Sequence, residues 1–130
     1  VSFRLLHQRK IRSWILDCMS HFSKNVGDIN YIFCSDTYLL EMNKEHLQHD
    51  YETDIITFDY SANQTVSGDL FISLDRVIDN AKTLKVKRQD ELHRVMIHGV
   101  LHLAGFKDKN PQDQFEMRSQ EDYCLSLRTF

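Results

Sequence analysis

A chain of 130 residues with 42% apolar residues, one proline and four glycines has the make-up of one globular domain and excludes two. Its formal net charge of −3 excludes a uniformly basic nucleic-acid-binding body, so an RNA partner would need a local cluster of cations. No apolar run is long enough to cross a bilayer, and the first residues, VSFRLLHQRK, lack the pattern of a secretory signal.

Residues 1–6 are apolar enough for an edge strand. From Lys10 onward, Ile11, Trp14, Ile15, Cys18, Met19 and Phe22 recur at spacings of three and four. This predicts an amphipathic helix ending near Asn25 and Gly27, with Trp14 in its buried stripe. Residues 28–35 (DINYIFCS) alternate Ile29, Tyr31 and Phe33 and predict a strand, after which Ser35 or Asp36 caps a helix running to about Leu47. Residues 54–60 (DIITFDY) and 69–73 (DLFIS) predict a hairpin across the polar loop SANQTVSG. Leu74, Val77, Ile78 and Ala81 mark a third helix, and the basic run KTLKVKR leads into a fourth. The order implies an α+β domain with a mixed sheet of about four strands packed with helices. Cys18, Cys34 and Cys124 are odd in number, far apart and set in apolar surroundings. They read as reduced thiols, and the chain as cytoplasmic.

The chemistry lies in residues 89–103 (QDELHRVMIHGVLHL), where Leu92, Val95, Met96, Val100 and Leu103 form one buried stripe of a helix. His98 and His102 stand one turn apart on one face, so two imidazoles can converge on one ion. Gly105 is placed to end the helix in a left-handed turn, which brings Asp108 back towards the histidines. The pattern His-x3-His-x2-Gly-x2-Asp resembles the zinc signature of metzincin-like enzymes. Three protein ligands with one open position is the arrangement of a catalytic zinc, at which water becomes a usable nucleophile near neutral pH. The glutamate that zinc proteases carry after their first histidine is Gly99 here, and Glu91 is two turns away. Peptide hydrolysis by that route therefore lacks its base, and no protein side chain stands out as a general base.

With Gly99 in place, HGVLHLAGFKD (98–108) resembles the hallmark HGxLHLxGYDH of the YbeY family of bacterial rRNA-maturation endoribonucleases. Asn43 and Asp50 match the family pattern ahead of its Thr-Asp-Val-Leu-Ser-Phe strand, here TDIITF (53–58). GDLFIS (68–73) matches its Gly-Asp-Ile strand, and residues 117–121 look like its closing helix. The resemblance implies one zinc per chain and single-strand-specific cleavage in small-subunit rRNA maturation and ribosome quality control. It also implies contact with the small ribosomal subunit, with neither DNA nor membrane as partner. The chain departs from the pattern in two places. Asp108 replaces the third ligand histidine, preceded by Lys107 in place of Asp, and a carboxylate there lowers the charge of the site. Leu47 replaces an arginine that would contact phosphate, which makes Lys107 and Lys109, then Gln48 and His49, the substrate-binding candidates.

The alternatives are a zincin-like hydrolase of another substrate, such as a peptide, or a non-catalytic ribosome-assembly factor with a structural zinc. Lys82, Lys85, Lys87 and Arg88 read as a solvated basic run or an RNA contact, and His93, on another face from His98, as surface. Asp54 and Asp69 open their strands as turn residues or cleft residues.

Overall fold

The stripe from Ile11 to Met19 is buried along the first helix, α1 (Gln8–His21). The helix stops short of Asn25 because Ser23 turns the chain at φ 58° and Asn25 already opens a strand. That strand is β1 (Asn25–Cys34). It leads into α2 (Asp36–Leu47), where Ser35 Oγ accepts the Tyr38 amide at 3.2 Å as the cap. Next come β2 (Ile55–Asp59), β3 (Thr65–Ser73), α3 (Leu74–Leu84), α4 (Arg88–Leu103) and α5 (Pro111–Ser126). The structure, a computed structural model, describes residues 3–47 and 53–130.

The sheet is mixed and has the order β1-β3-β2, with β3 parallel to β1 and antiparallel to β2. The α+β class and the 54–73 hairpin stand as expected from sequence. Among the described residues the sheet has three strands rather than about four. The edge strand expected at residues 1–6 is not formed over 3–6, which run as coil. That stretch is held by side chains: Leu5 packs on the core, and the Phe3 ring sits 4.9 Å from Phe33. β3 also begins earlier than expected. Thr65 to Gly68 pair with β1, and Val66 is buried beneath them, so tertiary pairing overrides the polar composition of the loop.

Val66, Leu70 and Ile72 of β3 face the main core with α1, α4 and α5, while Phe71 on the other face joins a smaller cluster with Leu39 of α2 and Ile56 of β2. All three cysteines are free and buried. No described helix is long and apolar enough to cross a membrane.

α4 is buried on nearly every side, which the single stripe read from sequence underestimates. Towards the sheet it needs Gly99: a Cβ there would lie 2.7 Å from Ile55 Cδ1 and 3.2 Å from the Leu70 methyls. Gly99→Ala should therefore lose about 1 kcal/mol, overpacking outweighing the helix-propensity gain. Gly99→Glu should not fold, because it also buries a carboxylate. Urea denaturation of the alanine variant checks this, and stability at or above wild type would show that Ile55 simply moves aside.

His93 is the second correction on α4, being 1% exposed rather than at the surface. Trp14 and Phe130 rings flank it, and Arg128 Nη1 stands 2.8 Å from its Nδ1. Burial, reinforced by the Arg128 charge, pushes its pKa down to about 4. The unfolded chain therefore takes up this proton first, near pH 6.5, and stability contributed by the neutral ring is lost as pH falls from there towards 4. Between pH 7 and pH 5 this amounts to about 1–2 kcal/mol. Denaturant midpoints of wild type and His93→Gln at both values test it. The variant should show the smaller loss, and equal losses would refute the assignment.

Candidate metal centre

The local sequence dictates where α4 ends. Gly105 takes φ 106°, its amide reaches His102 O at 3.0 Å, and the Phe106 amide reaches Leu101 O at 3.0 Å. This is a complete Schellman turn, as the glycine led us to expect. Asn110 then caps α5 through its side chain on the Asp113 amide at 2.8 Å, with Pro111 in the first turn. Between these two fixed ends the short connection returns Asp108 over the last turn of α4.

Asp108 Oδ2 lies 3.3 Å from Nε2 of His98 and 3.3 Å from Nε2 of His102. The ligand atoms of the three residues all fall within 4.8 Å of one another, so they could hold a metal ion. A tetrahedral zinc with bonds of about 2.0–2.2 Å keeps its ligand atoms roughly 3.4 Å apart, close to the spacing Asp108 makes with each imidazole. Two imidazole nitrogens and one carboxylate oxygen also suit zinc chemically. The three side chains are 19%, 28% and 39% exposed, so the cluster opens to solvent on the Asp108 side.

Behind the ligands lies a buried charge chain that sequence reading missed. Glu121 of α5, 2% exposed, sets Oε2 2.6 Å from His98 Nδ1 and accepts from Arg94 Nη1 through Oε1 at 3.0 Å. Arg94 in turn makes a two-pronged pair with Glu91, itself 1% exposed. With Nδ1 engaged by a carboxylate, the Nε2 of His98 is the nitrogen left to face a metal ion. Burial opposes charge on His98, but Glu121, Asp54 and Asp108 outweigh it and raise its pKa. Burial likewise opposes charge on Glu121, yet His98 and Arg94 hold its pKa below the usual carboxylate range. Asp54, just ahead of β2, is half-buried; desolvation raises its pKa, partly offset by His98 and Arg94. Asp54 thus lies within electrostatic reach of His98.

Lys107 and Lys109 flank Asp108 on the same connection and are exposed, with no ion pair among the described residues. Gln48, His49 and Asp50 lie outside the described residues. Asn43 is buried on α2. The one sequence signal for Glu121 was the match of residues 117–121 to the closing helix, which assigned it no role.

The comparisons agree with this geometry. The family model described as Endoribonuclease YbeY matches residues 3–128. Among curated proteins, the chain is 50% identical to Endoribonuclease YbeY of Porphyromonas gingivalis over 127 residues, covering 98% of this chain and 84% of that one. It is 49% identical to the protein of the same name from Cytophaga hutchinsonii, covering 98% and 90%. Among solved structures, the solution structure of TM1509 from Thermotoga maritima superposes with a TM-score of 0.66 at 25% identity, covering 95% of this chain and 83% of that one. A match over nearly the whole chain, joined to relatives of this identity, places the chain in the YbeY endoribonuclease family.

Proposed function

We propose that the chain is a zinc-dependent endoribonuclease, specific for single strands, that acts in the cytoplasm on small-subunit rRNA in ribosome maturation and quality control. The observation that carries this reading is the convergence of His98, His102 and Asp108 within 4.8 Å in a chain of this family. The chemistry supplied by one bound zinc is Lewis-acidic, polarising water and offsetting charge on the scissile phosphate. The chain's own part is positioning. Glu121 orients His98 through Nδ1, and the Schellman turn fixes the reach of Asp108. Lys107 and Lys109, exposed on either side of Asp108 in the chain, hold the phosphate backbone in this reading. Position 99 has no room for a protease-type glutamate against Ile55 and Leu70, which weighs against the peptide-hydrolase alternative.

The test is cleavage of a single-stranded rRNA fragment and its duplex form by protein stripped with a chelator and by protein reloaded with one equivalent of zinc. Cleavage of the single strand alone, present only after reloading, is expected. Zinc-loaded protein that cuts neither RNA would favour the assembly-factor alternative.

A further inference from the structure

α4 carries the ligands at its carboxyl end and meets a second feature at its amino end. There the coil of residues 3–6 stands apart from α3 and the first turns of α4, leaving an open groove of about 330 Å³. Its walls are apolar: Phe3, Leu6, Leu74, Val77, Ile78 and Leu92. Two of them, Phe3 and Leu6, are 43% and 62% exposed. Its polar rim carries one sign of charge, with Arg4 and Arg88 among the lining residues and no acid among them. Lys85 and Lys87 stand on the turn that leads into Arg88. All four cations are exposed, and none has an ion-pair partner among the described residues.

The metal end has the opposite character. Asp54, Asp108 and Glu121 gather there, while Arg94 is committed to Glu121 and to Glu91 of the first turn of α4. Lys107 and Lys109 supply the cations there, and a longer strand gains further grip where cations recur elsewhere on the surface. Single strands are held by apolar or aromatic surfaces that take bases, beside cations that track the phosphates. The groove combines both.

We infer that the groove between residues 3–6 and the α3–α4 corner is a distal binding site for single-stranded RNA. One unstacked base enters against Phe3 and Leu6, and Arg4 and Arg88 hold its flanking phosphates. Along α4, Arg88 is ten residues from His98, or roughly 15 Å at 1.5 Å per residue, so a strand engaged by the metal centre reaches the groove after a few nucleotides. This site rests on the endoribonuclease reading and assigns part of that enzyme's substrate affinity to the far end of α4.

The test compares full-length, zinc-loaded wild type with Arg4→Gln/Arg88→Gln and with Leu6→Ser, all at exposed positions; equal melting temperatures confirm intact folds. The probes are a fluorescent 12-nucleotide oligouridylate, the same strand with abasic sites, and a trinucleotide too short to reach from the metal. Wild type should bind the 12-mer about tenfold or more tighter than the trinucleotide. The double variant should lose that advantage, and the slope of log affinity against log salt should fall by about 1.4, or about 0.7 per phosphate contact. Leu6→Ser should weaken the base-bearing 12-mer and leave the abasic strand unchanged. Unchanged affinity and salt slope in the double variant, with wild type still cutting RNA, would overturn the groove assignment alone. The same outcome together with tight binding of an acidic apolar peptide would give the groove to a protein partner. Wild type that neither binds nor cuts any RNA would overturn the endoribonuclease reading and this site with it.

Discussion

Alanine at His98, His102 or Asp108 is expected to remove the bound zinc and to lower RNA cleavage by roughly three orders of magnitude or more, since the ion supplies several kcal/mol of charge stabilisation. The three replacements are not equivalent for the fold. His98 is tied to Glu121 and lies 19% exposed, so its loss also strands a buried carboxylate. His102 and Asp108 are more open, and their alanine variants should melt close to the metal-free wild type. Asp108→His, which restores the residue of the family hallmark, should keep both zinc and cleavage, because imidazole and carboxylate serve zinc equally at a third position. Metal analysis and cleavage on the same samples decide the matter. Zinc lost from the two histidine variants but retained in Asp108→Ala would remove Asp108 from the ligand set. Zinc and cleavage retained in all three would move the site elsewhere in the chain.

The centre was legible because its parts are local. Two histidines one turn apart, a glycine at the helix end and a carboxylate three residues on are fixed by helix and turn geometry, so their convergence follows from spacing alone. The 54–73 hairpin was legible for the same reason, its strands being rich in β-branched and aromatic residues. What escaped depends on packing between distant segments. Glu121 meets His98 across 23 positions, and Arg94 and Glu91 complete the chain from a face of α4 that looks polar in sequence yet is covered by α5. His93 escaped because the carboxyl-terminal Arg128 and Phe130 fold back over it. The amino end of β3 escaped because Thr65–Gly68 become a strand through pairing, chiefly with the parallel β1 some forty positions away. Charge distribution followed the same rule: the net value of −3 hides a basic groove at one end of α4 and an acidic centre at the other.

Glu121→Gln is the replacement that separates positioning from ligation. Glutamine keeps the volume of a 2% exposed side chain but offers one carbonyl oxygen where the carboxylate satisfied two neighbours, His98 on one oxygen and Arg94 on the other. One of those donors must go without its partner. The expected cost to stability is about 1–3 kcal/mol. The expected cost to zinc affinity is roughly 10–100-fold, because His98 loses both its orientation and the negative charge that makes Nε2 a better donor. Glu121→Ala should be worse, about 3 kcal/mol, because the half-buried Arg94 loses one of its two carboxylates and His98 its only one at Nδ1. A competitive chelator titration gives the affinity, and denaturation of the zinc-free proteins gives the stability free of the metal's own contribution. If Glu121 acts only through His98, cleavage by the glutamine variant should recover towards wild type at saturating zinc, whereas no excess of metal should rescue His98→Ala. Persistently low cleavage in a zinc-saturated, folded glutamine variant would mean that Glu121 takes part in the reaction itself. Unchanged zinc affinity would mean that the short contact to His98 holds α5 to α4 and leaves the metal untouched.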